Sequence, residues 1–423
     1  MPNLFFLMKS LPSLLTAALL LSPCLQASAA PFTVQSLVQK ALGTHPELRY
    51  YEARVEAAKG GKVKAGEIKN PDLMTGVGNW RVRDLETNAL SDGPTWAVQL
   101  TQTFEWPGRL SLRKAIAQKD IELAELGLEQ FRAALAARVK NLSWKILAAQ
   151  EKTRAAEEVA ARYKALADVL LQRDPAGIAP KLEARIIQAN ALNLGAAATA
   201  ARNELAAGRF ELNQLLGEKP GQNLEIQIEK LTLNPPPPLE SLLVNARKKN
   251  FDLRARIIDV QQQGFEVKLA ENERWPSISV VPYIQRQTNN TRETQVGIGV
   301  SIPLPLWNRN KGAIETAKAR EVQADVMLTA QMRQLERDVA AQASHYQIHV
   351  EELAKWPADT LQSFRSAAAE ADEHFRLGAL PLATYTDLQQ QYIDSVTAVL
   401  TSQLAAVEAR LELEQLTGTK LDK

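Results

Sequence analysis

Hydrophobic and polar residues follow two different periods along this chain. Between Thr95 and Phe104 they alternate residue by residue, which is the period of a strand with one buried face. From Leu110 to about Gln172, with no proline, apolar residues instead recur every three, four or seven positions, which indicates a helix about 95 Å long. A helix of that length needs partner helices in coiled-coil-like contact.

The change of period falls on a short seam formed by Trp106, Pro107 and Gly108. Pro107 lacks a backbone donor and Gly108 frees the backbone dihedral angles, so the strand ends here and a helix begins directly afterwards. An earlier alternating segment at about 73–83 and a polar loop complete a hairpin with the strand at about 95–104. Both strands have about ten residues, the length that crosses a bilayer when tilted.

The same order of segments recurs about two hundred residues later. Alternating segments at about 277–287 and 295–304 flank a polar loop, and Pro303 and Pro305 mark a second seam before a second long helical run. Three landmarks repeat in register at this offset, namely Pro71 with Pro276, Pro180 with Pro381, and Gly217 with Gly418. Such agreement indicates that the chain is a duplication.

Each copy has the same predicted layout of elements. A helix leads into the strand hairpin, and the long helix that follows turns and returns as a second helix. Pro357 is expected to kink the second long helix, which runs from Trp307 to about Phe375. The predicted fold class is mostly α with a small antiparallel β part, made of two tandem helix, strand, strand and long helical hairpin repeats. The leading helices are predicted at 31–69 and 239–274, the returning helices at 180–216 and 381–416, the repeats at 31–217 and 239–423, and a proline-rich linker at 218–238.

Residues 1–30 have the features of a secretory signal peptide. Lys9 supplies the positive charge, residues 11–21 the apolar core, and residues 27–30 a small-residue cleavage site, which predicts export from the cytoplasm. In an alternative interpretation, Cys24 would be the acylated first residue of a lipoprotein, although Pro23 directly before it argues against this. If the first interpretation holds, the mature chain has no cysteine and hence no disulfide.

Charge and motif content exclude several classes of function. The net charge of +2, with no basic patch interleaved with aromatic residues, argues against nucleic-acid binding. No segment after the signal peptide reaches the roughly 18 uncharged apolar residues of a spanning helix, so a membrane crossing would be made of strands. The sequence shows no nucleophile paired with a base and no phosphate-binding loop. We therefore predict neither an enzymatic activity nor a cofactor.

Four strands are too few to enclose a pore, because the smallest membrane barrels have about eight. Unpaired strand edges inside lipid are costly, so the strands would have to be pooled from several copies in a symmetric ring. Three copies, which would give twelve strands, are the simplest choice.

At this point the chain resembles the TolC-like outer membrane efflux proteins, over nearly its whole mature length. The resemblance lies in the tandem repeat, in the seams FEWPGR at 104–109 and IPLPLWNR at 302–309, and in two segments that follow glycine turns, IAPKLEARIIQANALNL and LPLATYTDLQQQYIDSV. Within that family it is most similar to the cobalt-zinc-cadmium resistance branch, notably in AGIAP at 176–180 and in Pro357.

The resemblance implies a homotrimeric duct in the outer membrane, with a twelve-stranded β-barrel in the lipid and an α-helical barrel in the periplasm. Such ducts dock onto a periplasmic adaptor, or membrane fusion protein, and an inner-membrane resistance-nodulation-division pump driven by protons. For this branch the implied cargo is divalent heavy-metal cations, conducted passively.

The resemblance also implies roles for residues at the far ends of the helical hairpins. Family members meet the adaptor at these tips, which here contain Gly177 and Ile178 in the first copy and Arg376, Leu377, Gly378 and Ala379 in the second. The two glycines would also cap helices.

A periplasmic gate is a second role that the resemblance implies. Asp387 matches one of the aspartates that ring the closed entrance in TolC, whereas Thr384 stands where the family has another. Glu183 and Arg185 occupy the comparable turn of the first copy and could pair between copies. A ring of carboxylates would favour cations. A solvated helix face explains the same residues equally well.

Two further residue sets have simpler explanations than a binding site. His345 and His349 are four residues apart with Glu352 next along, a spacing that can chelate a divalent metal, but we favour an exposed helix face and predict no metal site. Trp80, Trp96 and Tyr283 are expected at the membrane interface rather than in a binding site.

Two alternative functions stay open. A periplasmic adaptor also has a long helical hairpin, although adaptors have one hairpin with compact β domains and this chain has two hairpins. A duct of the same fold could instead carry drugs or a secreted polypeptide, because selectivity usually resides in the pump.

Overall fold

The computed structural model of this protein describes residues 32–172, 178–222, 224–227, 231–288, 291–357 and 359–421. The predicted signal peptide lies outside the described residues. Helices make up most of the described chain and four strands form a single antiparallel sheet, which confirms the predicted fold class.

The sheet joins the two repeats edge to edge. Its strands are β1 (Asp72–Arg83), β2 (Leu90–Phe104), β3 (Ile278–Thr288) and β4 (Arg292–Ser301), and they pair in that order. The β2–β3 pairing connects the copies, with Val98 opposite Ile284 and Phe104 opposite Ile278. Among the described residues, β1 and β4 are each paired along one side only.

Nine helices lie within the described residues. In the first repeat these are α1 (Val34–Thr44), α2 (Glu47–Ala65), α3 (Arg109–Gln172) and α4 (Ile178–Leu215). In the second they are α5 (Leu239–Lys249), α6 (Phe251–Asn272), α7 (Lys311–Ala354), α8 (Thr360–Arg376) and α9 (Leu382–Thr417).

The helices that follow and precede the strands pack side by side in a row. Near the strands the helices neighbour one another in the order α2, α3, α6, α7. Farther from the strands the order is α4, α3, α9, and α9 in turn contacts both α7 and α8. The outer positions of the row are therefore α2 and α4 on one side and α7 and α8 on the other. Because α2 leads into β1 and β4 leads into α7, the outer helices and the open strand edges lie on the same sides.

The leading helix of each repeat is divided, which the sequence analysis did not predict. In the first repeat Pro46 precedes α2, because a residue without an N–H is tolerated only at the start of a helix. In the second repeat the Asn250 side chain accepts a hydrogen bond from the Leu253 N–H at 3.0 Å and caps α6. The short helix α1 packs against α3, and α5 packs against α7 and α9.

Three other boundaries differ from the predicted ones. Strand β2 begins at Leu90 rather than near 95, because its hairpin with β1 continues pairing up to Arg83. Strand β4 ends at Ser301 rather than near 304, since its pairing with β3 reaches no farther than Ser279. Helix α7 begins at Lys311, after the prolines. The predicted kink at Pro357 lies in a break between α7 and α8.

The buried apolar side chains form three clusters along the row. One belongs to the first repeat and centres on Leu37, Val139 and Leu216, and one belongs to the second and centres on Leu242, Val339 and Leu413. The third lies toward the hairpin tips, where both repeats contribute to it, and contains Tyr163 and Tyr385.

Candidate functional site

The strand register gives the sheet one apolar and one polar face. Because cross-strand partners share a face, Val98, Ile284 and Val296 lie on one side together. The apolar side is completed by Leu73, Val77, Trp96, Leu100, Phe104, Ile278, Val280, Pro282, Ile298 and Val300. The other side contains Thr95, Gln99, Thr101, Thr103, Ser279, Gln285, Gln295 and Ser301 together with glycines.

The charged residues of the apolar face are confined to the hairpin-loop end. Arg81 Nη2 lies 3.6 Å from Asp92 Oδ2, and the Arg286 guanidinium lies 5.6 Å from the ring centroid of Trp96. The strands contain 10 to 15 residues, enough for a tilted strand to cross a bilayer. Trp96 with Arg286 therefore marks one border of the apolar band.

Trp80 and Tyr283, which were expected at the membrane interface together with Trp96, lie on the opposite face of the sheet from Trp96. The register places both on the polar face, where Tyr283 covers Gly297 so closely that a Cβ there would lie 2.6 Å from the ring. Trp80 is opposite Gly93 on the same face. The alternation within β1 alone could not decide which of its faces is apolar, because its odd-numbered and its even-numbered residues both include apolar side chains.

The first seam is a joint between the repeats, in which Arg109 is buried while Pro107 and Gly108 are exposed. Trp106 stacks on Trp275 with ring centroids 5.2 Å apart, and the Pro107 carbonyl accepts a hydrogen bond from Asn272 Nδ2 at 2.9 Å. Gly108 has φ +89°, the left-handed backbone that lets the chain leave the strand and enter α3.

Arg109 is the centre of this joint, and the sequence analysis gave it no role. Its side chain is only 7% exposed. The guanidinium donates to Asn272 Oδ1 at 3.2 Å, Asn272 O at 3.3 Å, Ser277 Oγ at 3.2 Å and Trp275 O at 2.7 Å. All four acceptors belong to the second repeat, so a single side chain connects the first long helix to the base of β3.

The second seam also has a left-handed residue before its helix, but no other part of the described chain packs over its large apolar side chains. Asn310, directly before α7, is left-handed with φ +58°, and Gly108, before α3, is left-handed with φ +89°. Pro303 is exposed and Pro305 half-buried, while Trp307 is 94% exposed and Leu304 70%. Large apolar side chains are thus left in contact with solvent in the single chain, a feature of surfaces that meet another molecule.

The hairpin tips are described in part. Gly177 lies outside the described residues, and Ile178 is the first residue of α4, with its side chain outside the description. In the second tip, Arg376 ends α8 and Gly378 has φ +72°, and all four predicted residues are exposed, with Leu377 at 73%. The Ala379 N–H donates to His374 O at 2.9 Å, which closes the turn.

The predicted gate residues are exposed on the tip-proximal turns of the returning helices. This holds for Glu183 and Arg185 on α4 and for Asp387 on α9, and Thr384 is also exposed. None of the ion pairs found among the described residues includes Glu183, Arg185 or Asp387. Pairing between copies therefore stays a prediction.

A buried aromatic and polar cluster lies behind the second tip, which the sequence analysis missed. Tyr385 is fully buried, stacks on Phe375 at 4.5 Å, and donates its hydroxyl to Asp372 Oδ1 at 3.1 Å. The Tyr163 ring of α3 lies 5.4 Å from it. Burial raises the pKa of Tyr163 to about 12, and burial together with the Asp372 carboxylate raises the pKa of Tyr385 well above its usual range.

Arg162 extends this cluster across three helices. Its Nη1 donates to Gln389 Oε1 at 2.9 Å, and the buried Gln389 amide donates in turn to the Ala368 carbonyl at 2.6 Å. Helices α3, α8 and α9 are thereby connected by polar contacts just above the tip. The only sequence signal was the presence of Tyr385 and Gln389, four residues apart, in the segment LPLATYTDLQQQYIDSV.

His345 and His349 lie on α7, the first exposed and the second half-buried. The carboxylate of Glu352 already accepts a hydrogen bond from Lys355 at 2.7 Å, which lowers the pKa of Glu352. Across the described ranges, no group of three or more His, Cys, Asp or Glu side chains could hold a metal ion. In the same part of the chain, no helix is both long and apolar enough to cross a membrane.

Comparison with known proteins gives consistent matches. A family model described as outer membrane efflux protein matches residues 37–218 and 242–419. The chain is 28% identical over 301 residues, 69% of its length and 67% of the relative's, to the cobalt-zinc-cadmium resistance protein CzcC of Cupriavidus metallidurans.

Solved structures of outer-membrane channels share the fold. The CmeC channel of Campylobacter jejuni has a TM-score of 0.73 at 15% identity, covering 91% of this chain and 85% of that one. The VceC outer membrane protein of Vibrio cholerae has a TM-score of 0.67 at 17% identity, with coverage of 92% and 97%. At these identities the likeness establishes the fold alone.

Proposed function

This chain belongs to the outer membrane efflux protein family, and we propose that it forms a homotrimeric duct through which a tripartite system exports divalent heavy-metal cations. The family resemblance inferred from the seams and the tandem repeat is confirmed. The family consists of ducts rather than enzymes. The family match also favours a duct over a periplasmic adaptor.

The two-faced sheet with two open edges is the observation that carries the proposal. An unpaired N–H or C=O group in lipid costs several kcal/mol, so β1 and β4 cannot remain open inside a membrane. Strands from other copies would pair with them. The apolar face would then contact outer membrane lipid, and the threonine and glutamine face would line the pore.

Three copies are supported by the strand count and by the helix row. Three copies of the four-stranded sheet give twelve strands, above the roughly eight that a small membrane barrel needs. Because the outer helices lie on the same sides as the open strand edges, one rotation between copies would close both layers.

The polar face supports passive conduction of a hydrated cargo. Along this face, charged side chains occur among the described residues only at its two ends, at Asp72 and near the loop at Glu293. Threonine and glutamine side chains would pass ions without holding them. Cargo choice would then be made by the pump, and the 28% identity to CzcC supports cobalt, zinc and cadmium as candidates.

The exposed second tip supports docking to a periplasmic adaptor and, through it, to a resistance-nodulation-division pump. We propose Arg376, Leu377 and Ala379, with Ile178 in the first tip, as adaptor contacts. Leu377→Asp should abolish metal resistance while leaving a trimer in the outer membrane. A matched control is Leu85→Asp, which changes a 96% exposed leucine in the loop at the opposite end. Normal resistance with Leu377→Asp would contradict the tip assignment.

The gate proposal concerns Asp387, Glu183 and Arg185. If these side chains pair between copies at the entrance, Asp387→Ala or Arg185→Ala should raise single-channel conductance of the purified trimer in planar bilayers. Ser402→Ala on the distal part of α9 serves as a control, because it is far from the tip in sequence. Equal conductance of all variants would contradict the gate, and the three residues would then be explained by a solvated helix face.

Gene deletion with complementation tests the cargo. Sensitivity to cobalt, zinc and cadmium, restored by the intact gene, would support metal export, whereas unchanged metal tolerance with new drug sensitivity or a lost secreted protein would point to the other cargoes. Membrane fractionation tests the duct itself, since recovery in the soluble periplasm would contradict it. N-terminal sequencing distinguishes cleavage near Ala30 from a lipidated Cys24.

A further inference from the structure

We infer that the open side of the second repeat is covered by the first repeat of a neighbouring copy, with Lys311 set between Glu67 and Asp72 of that copy and Val300 of β4 opposite its Asn79. The inference rests on the proposed ring of copies. It adds the residue register of the contact, which the ring alone leaves open.

The internal repeat of this chain supplies the register. Up to the first strand the copies are offset by 205 residues, since α1 and α5 begin at Val34 and Leu239 and β1 and β3 end at Arg83 and Thr288. From the second strand into the start of the long helix the offset is 202, since β2 and β4 begin at Leu90 and Arg292. The same offset relates Gly108 to Asn310, the two left-handed residues before the long helices.

Applied to the joint inside the chain, these offsets predict the joint between copies. Inside the chain β2 pairs with β3, and Val98 is opposite Ile284. Shifting β2 to β4 and β3 to β1 of the next copy places Val300 opposite Asn79. Both residues lie on the apolar face of the sheet, as Val98 and Ile284 do. An error of one residue would have brought opposite faces together, so this agreement is an independent check.

The second seam gains a charge-complementary partner under the same offsets. Lys311 corresponds to Arg109, and the Arg109 acceptors Asn272 and Ser277 correspond to Glu67 and Asp72. In the single chain the Lys311 side chain is 86% exposed, with Glu315 Oε1 at 3.8 Å. Glu67 and Asp72 are also exposed. A cation bound by neutral acceptors inside the chain is thus replaced by a cation facing two carboxylates between copies.

The outer face of α7, at the edge of the helix row, also has exposed apolar side chains. Ala124 of α3 is 4% exposed, whereas its counterpart Val326 on α7 is 59% exposed. Asp120 of α3 accepts a hydrogen bond from Gln262 of α6 at 2.7 Å, and its counterpart Val322 is 63% exposed. The residue of α2 that corresponds to Gln262 is Ala57. The predicted contact between copies is therefore apolar where the contact inside the chain is polar. Association removes both apolar surfaces from water, which favours the contact.

Cysteine pairs test the register in the full-length protein. Val300→Cys is combined in turn with Val77→Cys, Asn79→Cys and Arg81→Cys. Within one copy β4 and β1 are separated by two strands, about 14 Å, so a disulfide can form only between copies. We expect the Asn79→Cys pair to give the largest covalent fraction on non-reducing gels, with a ladder that ends at three chains. The chain without added cysteines controls for Cys24.

Each other result overturns a different statement. If Val77→Cys or Arg81→Cys gives the largest fraction, the register is wrong but the ring stands. A ladder ending at another number contradicts the homotrimer. If none of the three pairs becomes linked and the purified protein is monomeric in detergent, the ring and the proposed duct both fail.

Charge reversal tests the Lys311 contact. Lys311→Glu should lower the temperature at which the trimer dissociates on a gel, as should Glu67→Lys with Asp72→Lys, and combining all three should restore much of the loss. Lys248→Glu, an exposed lysine on α5, is the matched control and should leave the temperature unchanged. A combined variant that dissociates at a temperature no higher than the single reversal would overturn the pairing, even if the cysteine register holds.

Discussion

Replacing Arg109 by alanine should weaken the joint between the repeats more than the loss of one surface charge would. The shortest of its four bonds joins Nη2 to Trp275 O at 2.7 Å, and a hydrogen bond from a charged donor contributes about 1.5–3 kcal/mol. The other three are 3.2–3.3 Å long and share the same guanidinium, so their contributions do not add in full. The acceptors left behind are neutral, and each buried acceptor without a partner costs about 1–3 kcal/mol, so we expect a loss of about 3–5 kcal/mol of unfolding free energy.

Unfolding with guanidinium chloride in detergent measures this loss. Tryptophan fluorescence is the signal, because Trp106 and Trp275 stack on each other beside Arg109. Arg109→Lys should give an intermediate loss, since an ammonium cannot reproduce the planar fork of four bonds. Arg292→Ala, an exposed arginine at the start of β4, is the control. The reasoning fails if Arg109→Ala unfolds at the same denaturant concentration as Arg292→Ala.

Two further predictions concern the helix ends and the buried tyrosines. Gly378→Ala should lower the unfolding free energy by about 1–2 kcal/mol, because φ is +72° and the space around the residue is open. Gly217→Ala should lower it further, because the added Cβ would also lie 3.2 Å from Thr44 O. Equal melting temperatures for the two variants would contradict the steric contribution. The raised pKa values of Tyr163 and Tyr385 mean that the folded state keeps two protons that the unfolded state releases above about pH 10. Stability should therefore be unaffected below that pH and fall from pH 10 toward 12, by at most about 1.4 kcal/mol per tyrosine and pH unit. Tyr385→Phe should reduce this fall in pH-dependent melting, and an unchanged slope would refute the assignment.

Local sequence was sufficient for the strands, the long helices and their repetition, but not for the divisions of the leading helices. The change from a period of two to a period of three and four residues depends only on neighbours in the chain, as do the breaks at Pro107 and Gly108. The α3 bounds, Arg109–Gln172, match the predicted helix closely. Where the prediction missed a break, at Asn250, the cause was a side-chain cap that competes locally with helix continuation.

Alternation predicted the apolar face of β2, and that of β3 through Ile278, Val280 and Ile284. In β2, Trp96 and Val98 alternate with threonine and glutamine, so one face is plainly apolar. For β1 the alternation grouped Met74, Trp80 and Val82 as the apolar set, which is wrong, because the register places them on the polar face. In β1 both residue sets contain apolar side chains, and only its pairing with β2 places Trp80 on the polar side. A one-residue change of register reverses every side chain, so the face is a property of the pairing and not of the strand alone.

What the sequence by itself determined is therefore the set of strands and helices, the seam between them and the twofold repetition, because periodicity, proline and glycine act over a few residues. Only the tertiary structure decided that β2 pairs with β3 and that Arg109 is buried against Asn272, 163 residues away. It also decided that Tyr163 and Tyr385 share one cluster behind the second tip. These contacts join residues far apart in the chain, where burial and hydrogen-bond partners depend on how the two repeats dock rather than on local pattern.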